Sequence, residues 1–97
     1  MRVYLLNKEN YKKVEEIITK NEKTSMLSIY FREMRGLGFD DDRIALILDG
    51  LEEYLKIAEE ILGNLVIKPE KDLEEKIIQK FKEEEERAKE GFGFLFS

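Results

Sequence analysis

The sequence predicts a predominantly α-helical domain, a small bundle of about four helices, with an α+β arrangement as the alternative. Three observations lead there. The stretch DDDRIALILDGLEEYLKIAEEIL, residues 40–62, has the densest apolar content in the chain. At 100° per residue Ile44, Ile47, Leu48, Leu51, Leu55, Ala58 and Leu62 form one stripe, with Leu46, Gly50, Tyr54, Ile57 and Ile61 beside it. Residues 8–20, 25–35 and 69–90 carry further helical patterns, whereas the β-prone runs at 2–6, 64–68 and 92–96 are short.

Met1 to Leu6 opens the chain as a strand of about five residues, with Val3 and Leu5 on one side and Arg2, Tyr4 and Leu6 on the other. Asn7 is the expected cap of the first helix, with Leu6 and Tyr11 as a hydrophobic staple. Tyr11, Val14, Ile17 and Ile18 give that helix a narrow apolar stripe. Thr24 or Ser25 is the expected cap of a second helix, rich in Met26, Leu27, Ile29, Tyr30, Phe31 and Met34 and ended by Gly36 and Gly38.

The third and central helix, 41–62, starts behind Asp40, and its dipole accounts for Asp40, Asp41 and Asp42. A calcium loop would need alternating ligands and a closing Glu, which this stretch lacks. The two apolar stripes cover roughly 200° of the circumference, where a surface helix needs about 100°, so a second covering surface is expected. Pro69 then suits the first turn of a last helix, carried by Leu73, Ile77, Ile78 and Phe81. Its continuation, 82–90, is a charged extension expected to stand in solvent, followed by the aromatic tail 91–97.

One domain is expected from 97 residues, and a chain this short buries a limited core, for which oligomerisation is a common remedy. Charged residues make up 40%, and His, Cys and Trp are absent, a thermophile-like bias. Without Cys there is no disulfide, thiolate nucleophile or zinc-finger site, and without His the commonest general base is missing. No cofactor or metal is expected. No uncharged run approaches the roughly 20 residues of a membrane span and no leader pattern opens the chain, so a cytoplasmic protein without membrane partners is expected.

The net charge of −5 is uneven: residues 1–39 hold eight Lys or Arg against five acids (+3), and residues 40–97 hold nine against seventeen (−8). The expected function is that of an acidic, non-catalytic interaction or regulatory protein. It is expected to be a homodimer packed through the central helix, with Leu46, Gly50, Tyr54, Ile57 and Ile61 at the interface. Phe92, Phe94, Leu95 and Phe96 are expected either to form a last core strand or to dock on another protein. In the second case an acidic lead followed by aromatics resembles the tails by which replication proteins hold sliding clamps.

Two alternative functions remain. A short N-terminal strand followed by two helices resembles the ribbon-helix-helix family of DNA-binding dimers. That resemblance implies a transcriptional regulator in which Arg2 and Tyr4 face DNA and Thr24 and Ser25 meet phosphate. The other is a carboxylate-based, magnesium-dependent nucleotide hydrolase built on Glu52, Glu53, Glu59 and Glu60, although helical angles put these on the outward arc of the central helix.

Overall fold

A computed structural model describes the backbone of residues 1–96 and the side chains of residues 1–88. The chain runs β1 (Arg2–Leu6), α1 (Tyr11–Lys20), β2 (Ser28–Glu33), β3 (Ile44–Asp49), α2 (Glu52–Leu62) and α3 (Lys71–Phe96), joined by short 3-10 turns. The strands form one sheet in the order β1-β3-β2, with β3 antiparallel to both neighbours. The fold is therefore α+β, a three-stranded antiparallel sheet with three α-helices, and not a four-helix bundle.

The central-helix expectation fails at Ile44–Leu48, the middle strand of the sheet. Successive side chains of a strand point to opposite faces, and here both faces are covered, so all five residues are buried. Tyr4, Leu6, Ile44, Leu46 and Leu48 pack under Val14, Ile18, Leu55, Ala58 and Leu62 from α1 and α2. On the other face Val3, Leu5, Ala45 and Ile47 pack with Met34, Leu37, and Ile77 and Phe81 of α3. Each buried Leu or Ile contributes roughly 1.5–3 kcal/mol relative to exposure, so a strand buried on both faces is worth more than the same residues on a one-sided helix.

Gly50 makes the turn from β3 into α2. Its φ is +150°, and a Cβ there would stand 2.6 Å from Leu27 Cδ2, so both backbone and space favour glycine. Leu51 enters α2 in extended conformation, and Glu52 and Glu53 occupy its first turn, where the helix dipole favours acids.

The predicted second helix, 25–35, is also replaced. Thr24–Met26 is a single 3-10 turn, and Ser28–Glu33 is an edge strand. Thr24 is fully buried, and its hydroxyl donates to the Ile18 carbonyl at 2.7 Å, finishing α1 rather than capping a new helix. The preceding turn is held by Asn21 Oδ1, which accepts from the Lys23 and Thr24 amides at 2.9 and 3.1 Å. The aspartates likewise serve a turn. Asp41 accepts from the Arg43 amide at 2.8 Å and pairs with its guanidinium, while Arg35 reaches Asp40 and Asp42 at 3.2 and 2.5 Å.

Residues 8–20 divide into a 3-10 turn, Lys8–Asn10, and α1. The run at 64–68 reduces to a 3-10 turn, Gly63–Leu65, and a single bridge between Ile67 and Leu5. The last helix extends through 92–96, replacing the β-prone run expected there. Among the described residues, no helix is long and apolar enough to cross a membrane.

Candidate functional site

A three-stranded sheet has two outer edges, and a strand edge carries a row of backbone donors and acceptors that must find partners. On β1 three of these groups are met inside the chain. The Leu5 amide donates to the Ile67 carbonyl and the Ile67 amide to the Leu5 carbonyl, both at 2.7 Å. The Val3 amide donates to Glu74 Oε2 at 3.2 Å, from the first turns of α3.

On β2 the register identifies the outward groups. Met34 donates its amide to the Arg43 carbonyl at 3.0 Å, continuing the β2–β3 pairing by one residue. Since antiparallel pairs alternate between bonded and non-bonded, Arg32 and Tyr30 bond inward to Ala45 and Ile47. Ile29, Phe31 and Glu33 therefore turn their amides and carbonyls outward. Among the described residues no strand pairs with this edge, and the Phe31 carbonyl is met by the neighbouring Arg32 guanidinium at 2.9 Å.

Side chains along β2 stay half-exposed because nothing covers this flank fully. Ile29 and Phe31 lean on the α1–α2 face, where Phe31 meets Tyr11 edge to face at 4.8 Å. Tyr30 lies on the α3 face against Phe81, with ring centroids 4.9 Å apart. Arg32 sits beside both, 5.9 Å from the Tyr30 ring centroid and 5.4 Å from that of Phe81, and pairs with Glu85 at 3.2 Å and Glu84 at 3.9 Å. Thus the extension from Lys82 is not wholly in solvent; its first acidic residues hold the β2 edge strand.

The predicted interface residues do not share one helix. Leu46 is fully buried in β3, and Gly50 lies in the turn. Tyr54, Ile57 and Ile61 are half-buried on α2, and Tyr54 and Ile61 pack against the α1–α2 core. The side chains of Phe92, Phe94, Leu95 and Phe96 lie outside the described residues, while their backbone belongs to α3.

The two alternatives meet different surroundings from those they require. Tyr4 is 2% exposed under α2, Arg2 pairs with Glu52, and the Ser25 hydroxyl donates to the Glu22 carbonyl at 3.0 Å. The second helix that the ribbon-helix-helix resemblance needs is the β2 region instead. Of the proposed hydrolase carboxylates, Glu52 and Glu59 border a cleft of about 90 Å³ with Arg2, Tyr4, Leu55 and Lys56. Burial, and then the Glu59 charge, push the Tyr4 hydroxyl above its ordinary pKa, so it is a neutral donor. Among the described residues, no cluster of three or more acidic side chains is arranged to hold a metal ion.

Neither Ile67 nor Glu74, which close the β1 edge, was singled out by the sequence. Ile67 lay in an expected β-prone run, but a lone glutamate on a charged helix gives no signal that it will meet a backbone amide. Comparison of the chain with protein-family models, curated proteins and solved structures finds no match.

Proposed function

We propose that the protein is a non-catalytic interaction protein that works as a pair of identical copies and meets its partner along the outer edge of β2. One observation carries this reading: β1 has its Leu5 amide and carbonyl and its Val3 amide met within the chain, whereas among the described residues the outward groups of Ile29, Phe31 and Glu33 have one partner, the Arg32 guanidinium on the Phe31 carbonyl, and lie beside half-exposed apolar side chains. Native sheets usually blunt an exposed edge, and an edge left ready for pairing is a recognised route to strand addition. A small domain also gains stability by association, since its own core is limited.

Self-association is thereby expected along the sheet rather than through a central helix. It is tested by light scattering coupled to size-exclusion chromatography over a hundredfold range of concentration. The expected mass is twice the 11.5 kDa of the chain. A single species at 11.5 kDa throughout would overturn it.

A further inference from the structure

Resting on that reading, we infer the seam itself: β2 pairs antiparallel with β2 of a second copy in the register that places Phe31 opposite Phe31, joining two three-stranded sheets into one of six strands. The outward residues select this arrangement. There are three of them, Ile29, Phe31 and Glu33, spaced by two and centred on Phe31. A two-fold axis through Phe31 sets Ile29 against Glu33 of the second copy and Glu33 against Ile29. Every outward amide and carbonyl then faces a partner in the second copy, giving about six inter-copy hydrogen bonds; the Phe31 carbonyl, which already accepts from its own Arg32 guanidinium at 2.9 Å, takes the Phe31 amide of the second copy on its other lone pair.

Neighbouring registers do less well. Shifting two residues one way sets Arg32 directly against Arg32, a like-charge pair. Shifting the other way sets Glu33 against Leu27, whose amide already donates to the Thr24 carbonyl at 3.0 Å. In the inferred register Tyr30 lies opposite Arg32 of the second copy. Arg32 already stacks near its own Tyr30 and Phe81 rings, so the pairing adds a further aromatic face to a cation held by Glu84 and Glu85. On the opposite face Phe31 meets Phe31, each backed by its own Tyr11. The axis is perpendicular to the sheet, so both α3 helices share one face of the joined sheet and the α1–α2 pairs share the other.

The natural chain has no Cys, which makes disulfide mapping direct. Tyr30 and Arg32 of the second copy form a non-bonded pair with Cα atoms about 4.5 Å apart. That is within disulfide range, whereas Tyr30 to Tyr30 spans roughly 8 Å and is outside it. Variants Tyr30→Cys and Arg32→Cys, mixed and oxidised, should yield cross-linked dimer at several times the level of either alone. Since Tyr30 packs on Phe81, a second pair, Ile29→Cys mixed with Glu33→Cys, repeats the test on the other face, and the melting curve of each variant reports whether it folds.

Cross-linking of Tyr30→Cys alone or Arg32→Cys alone to the level of the mixture would overturn the register. A natural chain of dimer mass whose folded variants fail to cross-link in either mixture would overturn the seam while leaving self-association standing. A natural chain of monomer mass would overturn both.

Discussion

β1 and β2 are both outer strands of the same sheet, yet they end differently. β1 is buried from Val3 to Leu6 and its backbone is met by Ile67 and Glu74. β2 is half-exposed from Ile29 to Arg32, and its flanking groups are an arginine fork and two glutamates at the α3 surface. The contrast shows how a short chain protects one edge with its own later segments and leaves the other without a pairing strand among the described residues. Ile67 and Glu74 can reach β1 because the chain returns there after α2; no later described segment pairs with the outer edge of β2.

That contrast can be broken at several points. The largest effect is expected at Leu5→Ala, which removes a side chain 1% exposed at the closed edge. About 3 kcal/mol of stability should be lost, measured by urea unfolding, without a change in the association of the chain that still folds. Ile67→Pro removes the amide that bonds the Leu5 carbonyl and opens the β1 edge. It should cost about 2 kcal/mol, and light scattering should now find species larger than a dimer, because two open edges allow chains of sheets.

Phe31→Lys acts on the other edge. It places like charges opposite each other at the seam, and the dimer should weaken by at least about tenfold in sedimentation equilibrium, roughly 1.4 kcal/mol. Glu74→Gln leaves an acceptor for the Val3 amide without the charge, and should cost less than about 1 kcal/mol in the same unfolding assay.

An effect of similar size concerns the turn that leads from β2 into β3. Hydrogen bonds from Arg43 hold the Asp41 carboxyl below its ordinary pKa, against an opposing effect of burial. A carboxyl whose folded pKa is depressed stabilises the fold above its unfolded pKa, near about 4, and that contribution disappears as pH falls through the folded value. Natural chain and Asp41→Asn should therefore differ by about 1 kcal/mol at neutral pH and converge in melts below about pH 4. Because Asp41 stands 19% exposed beside the turn, neither edge should change its association.

The sequence made some elements legible and hid others for physical reasons. β1 spans Arg2–Leu6 as its alternation implied, and α1 follows the Val14–Ile18 stripe. α2 and α3 were visible through Leu55, Ala58, Leu62, Ile77 and Phe81, all buried as one-sided helical residues should be. What was hidden is β2 and β3, the edge strand and the middle strand of the sheet beside it. IALIL is apolar at five successive positions because β3 is covered on both faces, and an unbroken apolar run fits a buried strand or a buried helix equally well.

Its spacing then happened to continue that of α2, so strand and helix read as one long element. SIYFRE gave no clean alternation either, because β2 is half-buried on both faces. Its aromatic and β-branched residues were the strand signal available there. The candidate interface moved with these strands: Leu46 went into the core, while Ile29, Phe31 and Glu33 came to the edge.

Amide hydrogen exchange of the natural chain, followed residue by residue in dilute and concentrated samples, tests the difference between the edges most directly. The Val3 and Leu5 amides should be slow at every concentration, whereas those of Ile29, Phe31 and Glu33 should be fast in the dilute sample and slow by at least about tenfold more in the concentrated one. Equal and concentration-independent rates at Ile29, Phe31 and Glu33 would contradict the account.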